Sequence, residues 1–220
     1  MLSIAIVSPG PGCGKTTTLV NLAVGLRRRG WRVLIAASEN NELLRKWIVP
    51  ESYETSSIMH ITLSVVTLDL LVLGEDKDLI IDTWQDDYDY LLIDAGDNVD
   101  NLCHEAEKAE QVIACVQVGD EGEGISLLNN LLATARGVTP GIDLVVPGKV
   151  DPGEWEKTSQ HLEELAEEFG EERVADMIPF CEAIHDLPSL KICVWDLPRE
   201  YSNRKQAFNS LVDKVLHMTR

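Results

Sequence analysis

Residues 8 to 20 read SPGPGCGKTTTLV. A lysine followed by hydroxyl side chains, set directly after closely spaced glycines, is the combination that grips a polyphosphate. The signature G-x-x-x-x-G-K-[ST] does so where it joins a strand to a helix. Gly14, Lys15 and Thr16 match it in identity, and Pro9, with Gly10 beside it, stands where the first glycine belongs. Backbone amides near Gly12 to Thr16 and the positive end of the following helix supply an anion site. Lys15 would set its charge on the β and γ phosphates, and the Thr16 hydroxyl would complete a Mg2+ shell. Proline at 9 or 11 removes N–H donors but stiffens the loop by fixing φ. The nucleotide-binding residues expected here are Gly10, Pro11, Gly12, Cys13, Gly14, Lys15, Thr16 and Thr17.

A second motif completes the chemistry. YDYLLIDAG (88–96) is an apolar run ending in an acid. A buried parallel strand of this kind places Asp94 at the carboxyl edge of the sheet, where ligands of such sheets bind. Thr16 and Asp94 are therefore the expected Mg2+ residues, the second acting through water, and Lys15 and Asp94 the expected catalytic pair. Cys13 lies inside the loop, where two readings stand side by side: a redox switch and a tolerated variable position. The five cysteines (13, 103, 115, 181, 193) form no CxxC pair, which fits a reducing cytoplasm better than a disulfide framework. Cys103 and His104 are adjacent and make a poor chelate.

The elements that must hold these residues alternate along the chain. Strands are expected at 2–8, 31–37, 88–96, 111–118, 142–147 and 173–180, with an extended stretch at 58–74. Helices are expected at 15–29, 40–47, 76–86, 123–137, 153–170 and 203–218. Continuous apolar strands between helices imply an α/β fold, doubly wound, with a mostly parallel sheet covered on both faces. With 220 residues and no linker or repeat, one domain over 1–220 is expected. No run is long enough for a membrane span, and the N-terminus carries no basic lead-in for a signal peptide.

The net charge of −18 is uneven. Residues 1–50 hold seven basic side chains against two acidic ones, so the remaining chain carries −23. A strongly acidic body repels phosphate backbones and disfavours broad DNA binding. The only concentrated basic patch is RRRGWR at the end of the first helix. It suits an acidic partner or nucleic acid, and equally the helix macrodipole. The apolar face of the closing helix reads more simply as core than as a membrane-contacting surface.

Taken together, GCGKTTTLVNLAVGLRRRGWRVLIA, YDYLLIDAG, MIPFCEAIHDL and NRKQAFNSLVDKVL resemble the ParA/MinD family of deviant Walker-A ATPases, over nearly the whole chain. The resemblance implies the P-loop NTPase fold, ATP and Mg2+ as ligands, and nucleotide-dependent homodimers that position cargo together with a protein partner. It also assigns Pro179 and Phe180, with Cys181, to the wall of the base pocket. Three departures follow from the same comparison. The family's cross-subunit lysine falls at Gly10. The acids that end its second strand, one of which orients the attacking water, fall at Ala36 and Ser38. Its base-side asparagine falls at Gly148, in PGKVDP. Glu39, Glu42 and Asp97 are the acids nearest the missing positions, and Asp151 is the residue suited to guanine donors; adenine is favoured by the resemblance. Loss of a water-orienting acid implies slow turnover, since one positioned group contributes roughly 10²–10⁴-fold. The resulting expectation is a cytoplasmic positioning, partitioning or assembly ATPase with weak hydrolysis. Beside it stand a non-hydrolysing nucleotide-binding scaffold and a ligase or metal-insertion accessory NTPase.

Overall fold

The computed structural model describes residues 1–74, 79–96, 98–119, 123–150, 153 and 155–218. Strands β1 (Leu2–Val7), β2 (Val33–Ser38), β3 (Ile58–Leu63), β4 (Val66–Leu73), β5 (Tyr90–Asp94), β6 (Gln111–Gln117) and β7 (Leu144–Gly148) form a single sheet. Its order is β3-β4-β2-β5-β1-β6-β7. Every ladder is parallel except β3–β4. Helices are α1 (Lys15–Arg28), α2 (Glu42–Trp47), α3 (Val99–Lys108), α4 (Glu123–Arg136), α5 (Trp155–Phe169), α6 (Glu182–Leu190) and α7 (Ser202–Met218).

Successive side chains on each strand enter opposite cores. Ile4, Ile6, Ile35 and Leu92 pack with Leu19 and Leu22 of α1 and with Phe208, Leu211 and Val215 of α7. Ala5, Val7, Leu34 and Leu91 pack instead with Leu102 of α3, Leu132 of α4 and Phe169 of α5. Burial on both faces is why the central strands read as unbroken apolar runs, each fully buried Leu or Ile stabilising by about 1.5–3 kcal/mol. The doubly wound, mostly parallel architecture expected from the alternation is present, with helices on both faces. The apolar face of α7 is core, as its spacing indicated.

Several elements differ from the sequence expectation. Residues 58–74 form two antiparallel strands that reverse between Leu63 and Val66. Ser64 takes up the positive φ that the reversal requires. Of the helix expected at 76–86, residues 76–78 lie outside the described set, and the described remainder holds only a 3-10 turn at Ile81–Trp84. Residues 173–180 form no ladder. They touch the sheet through two isolated parallel bridges, Val145 to Val174 and Val150 to Pro179, because Pro179 has no N–H to extend one. Helices α3 and α6 were not expected at all. Leu102 and Ala106 are the fully buried apolar positions of α3, a stripe too narrow to stand out among its charges. Pro188 lies inside α6 and disguises a helical segment as a loop.

Candidate functional site

The strand order sets where a site can form. β1 lies between β5 and β6, so the connections leaving it and its neighbour β5 run toward opposite edges. The crevice over the carboxyl ends of β1 and β5 is therefore the topological switch point. In register, Ile6 pairs with Asp94, which brings the loop after β1 beside the acid that ends β5.

The loop folds as its glycines require. Gly12 and Gly14 have φ of 79° and 92°, a region that side chains with a Cβ rarely enter. Gly14 stands at the N-terminal boundary of α1, and its carbonyl accepts from the Thr18 amide at 2.8 Å. Lys15 is buried, and its ammonium donates to the Ser8 hydroxyl at 3.0 Å. Ser8 in turn donates to the Gly10 carbonyl at 2.5 Å, closing the front of the loop on itself. Thr16 Oγ1 donates to Asp94 Oδ2 at 3.1 Å, while Asp94 Oδ1 accepts from the Gly96 amide at 3.1 Å. Burial pushes the Asp94 carboxyl above its ordinary value. The Gly96 amide, the Lys15 charge and the Thr16 and Asn41 side chains oppose that shift without cancelling it.

Around this pair lies a cavity of about 1160 Å³, lined by Gly12 to Thr18, by Ala36 to Ser38, by Asn41, and by Asp94 to Gly96. Ile178 to Cys181, together with Ile184 and Pro188 of α6, also line it. The volume lies just above the roughly 300–1,000 Å³ typical of small-molecule sites, room enough for a nucleotide-sized molecule. Of the expected residues, Gly12, Cys13, Gly14, Lys15, Thr16, Thr17 and Asp94 line this cavity together, and Pro179 and Phe180 line it as well. Gly10 and Pro11 do not line it and sit on the outer turn of the loop. Cys13 is buried, its Sγ 4.0 Å from the Pro11 carbonyl.

Among the acids weighed as substitutes, Glu39 is not part of the cavity wall. Its carboxylate lies 4.0 Å from the Cβ position of Gly74, on the side of β4, because Glu39 continues the ladder by donating its amide to Leu73. Glu42 does line the cavity. Asp97 and Asp151 lie outside the described residues. The RRRGWR patch is spent within the chain. Arg29 pairs with Asp213 at 2.7 Å, Arg32 with Asp89 at 2.9 Å, and Arg28 lies 5.6 Å from the ring centre of Trp195.

Three side chains that sequence reasoning did not place also belong to the site. Ser8 holds Lys15. The Lys149 ammonium, from the PGKVDP run, stands 3.7 Å from the Cβ position of Gly12. Asn41 donates from Nδ2 to Asp94 Oδ2 at 2.6 Å and approaches Thr16 Oγ1 at 3.5 Å. A local signal for Asn41 exists, because asparagine followed by glutamate marks a helix start. Its contact with Asp94 depends on β2 and β5 being neighbours and has no local signal.

The sequence profile described as "CobQ/CobB/MinD/ParA nucleotide binding domain" matches residues 4–192. The chain belongs to this family. The ParA/MinD resemblance drawn from the loop and from YDYLLIDAG is thus correct, and the P-loop NTPase fold with it. Solved structures agree on the fold. Apo McdA from Cyanothece superposes with a TM-score of 0.79 at 14% identity, covering 98% of this chain and 99% of its own. The septum site-determining protein MinD of Pyrococcus horikoshii OT3, solved with Mg-ADP, gives 0.73 at 20% identity over 97% and 95%. Cobyrinic acid a,c-diamide synthase of Mycobacterium smegmatis, with a bound ATP analog and magnesium, gives 0.72 at 14% over 100% and 96%. A comparison with curated protein sequences finds no match. Among the described residues, no helix is long and apolar enough to cross a membrane.

Proposed function

We propose that this member of the family is a positioning or assembly ATPase of the ParA/MinD type, which binds ATP with Mg2+ and hydrolyses it weakly. The observation that carries the reading is the convergence of buried Lys15, Thr16 and Asp94 on one nucleotide-sized cavity at the switch point. Lys15 would leave Ser8 to pair with the β and γ phosphates, and the amides from Gly12 to Thr16 would hold phosphate oxygens. Thr16 and Asp94 would hold Mg2+, which supplies charge neutralisation on the phosphates. Pro179 and Phe180 would cover the base, with adenine favoured. Residues Gly10 and Pro11 would shape the loop from outside the cavity.

Ordering of the surrounding loops by bound nucleotide would favour a homodimer, with a protein partner reading that state. Gly10 offers no lysine to a second subunit, so dimer contacts must come from other side chains. Cytoplasmic residence accords with cysteines that are all free in the structure. A non-hydrolysing scaffold is the second reading, supported by the methyl and hydroxyl groups of Ala36 and Ser38 on the cavity wall.

Calorimetric titration of ATP, ADP and GTP with Mg2+, into the wild type and Lys15→Ala, tests the proposal. ATP and ADP should bind the wild type, and Lys15→Ala should weaken ATP by about a hundredfold, the loss of charge-assisted phosphate contacts. Light scattering on the same samples reads the dimer, and phosphate release separates weak hydrolysis from none. Equal affinity of the two chains would remove the phosphate-gripping role of the loop.

A further inference from the structure

The amide of Asn41 joins two structures that sequence separates. β2 ends at Ser38, a short turn follows, and Asn41 is the N-cap of α2. Its Oδ1 accepts from the Leu44 amide at 2.9 Å. Since that partner is a donor, the oxygen is fixed on the helix side, and the NH2 end is fixed on Asp94 Oδ2 at 2.6 Å. One rigid, planar group thus caps a helix with its acceptor and occupies the Asp94 carboxylate with its donor.

α2 is anchored at its other end. Leu44 and Trp47 are almost wholly buried, and the Trp47 indole donates to the Ile192 carbonyl at 3.0 Å. Helix α2 packs on α6, which begins immediately after Phe180 and Cys181 of the cavity wall. Asn41 thus belongs to a helix that packs directly on another element of the same cavity wall.

We propose that Asn41 is a positioning residue of the metal site, which sets Mg2+ affinity by competing for Asp94 and ties metal seating to the cap of α2. The inference rests on the reading that Thr16 and Asp94 hold Mg2+. A cation at Thr16 Oγ1, reaching Asp94 through a bound water, would bring its charge beside the positive end of the amide dipole and compete for the Oδ2 lone pairs that Asn41 occupies, which displaces the N–H donor. Turning the amide over presents Oδ1 to the metal but faces NH2 toward the Leu44 amide, two donors opposed, and the cap is lost. Swinging the side chain away loses the cap as well. Asn41 lacks a carboxylate's capacity to take a proton, so its action is on geometry and affinity.

Two substitutions separate this role from capping. Asn41→Ser retains an N-cap oxygen and removes the donor to Asp94; Asn41→Asp retains a cap oxygen and places a carboxylate oxygen where the donor was. Mg2+ is titrated calorimetrically into each chain saturated with ADP, and amide hydrogen exchange is followed at residues 42–47. The dissociation constant should fall several-fold in Asn41→Ser and roughly tenfold or more in Asn41→Asp, the scale of a charge-assisted interaction. Mg2+ should speed exchange at the Leu44 amide in the wild type and leave it unchanged in Asn41→Ser. Urea unfolding of the three chains confirms that each is folded. Unchanged or weaker Mg2+ binding in both variants, with normal binding by the wild type, overturns the role of Asn41 alone. Failure of the wild type to bind ADP or Mg2+ overturns the site reading, and this inference with it.

Discussion

Replacing Asp94 with asparagine tests whether burial or its hydrogen-bond partners control this carboxylate. Two effects of different pH dependence are expected. The first is constant. Oδ2 accepts from both Thr16 and Asn41, and an amide NH2 there would strand one donor, because the Thr16 hydroxyl can turn to accept but Asn41 Nδ2 cannot. That costs about 1–3 kcal/mol. The second varies with pH. The Asp94 carboxyl is raised above its ordinary 3.8 by burial, so the folded chain keeps this proton to a higher pH than the unfolded chain. Asp94 then contributes most stability below its unfolded pKa, and that contribution is lost as pH rises through the folded pKa, by at most about 1.4 kcal/mol per pH unit. The asparagine variant has no such loss. Its deficit relative to the wild type should be largest near pH 4 and shrink as pH rises, then level off. Urea unfolding of both chains from pH 4 to 8 in chelator measures the difference, in which all other carboxylates cancel. A deficit that is flat or grows with pH would show that Lys15 and the three hydrogen-bond donors outweigh burial.

Other consequences follow from buried groups around the site. Asn21 is fully buried in α1, donates to Thr17 O at 2.9 Å and accepts from the Val194 amide at 2.8 Å. Asn21→Ala should destabilise the chain by about 1–3 kcal/mol in urea, because the Val194 amide loses its acceptor; an unchanged midpoint would mean that water replaces it. Burial pushes the Cys115 thiol up to about 12. At pH 8 iodoacetamide should label Cys103 and Cys181 well before Cys115, which should react only in urea; equal rates read by mass spectrometry would show that the sheet opens there. Phe208 is fully buried where α7 meets α1. Phe208→Ala should cost about 3–5 kcal/mol, and a loss below about 1 kcal/mol would mean that the helices close over the space.

Where local pattern and tertiary need agreed, the sequence could be read. Lys15 follows two left-handed glycines, and Asp94 ends a run buried on both faces, so each carries its context beside it. Legibility failed where the deciding contact is distant. Local pattern did not reveal Phe180, which the family resemblance alone put on the pocket wall: two isolated bridges hold 174 and 179 against β7 and its continuation, and Pro179 broke the strand pattern that was expected there. Glu39 was weighed as a catalytic substitute on proximity in sequence alone. Its carboxylate lies beside Gly74, at the end of β4, which proximity in sequence does not reveal. Asn41 was passed over for the opposite reason, as an ordinary polar turn residue whose partner is 53 positions away.

The end of β2 also bears on what kind of ATPase this chain can be. Ala37 pairs with Asp94, so positions 36 and 38 flank Asp94 from the neighbouring strand. Both line the cavity, with a methyl at Ala36 and a hydroxyl at Ser38. Four asparagines, 40, 41, 98 and 101, line the same crevice, together with Glu42, His104 and Glu105. Amides orient a water molecule but take no proton from it at neutral pH. On the reading proposed above, the site would keep the parts that grip phosphates while lacking the family's acids at 36 and 38, and one positioned group of that kind counts for roughly 10²–10⁴-fold. The triphosphate state would then persist, its lifetime set by dissociation or by a partner that brings in the missing group. On that reading the chain would signal through how long it stays loaded rather than through how fast it turns over.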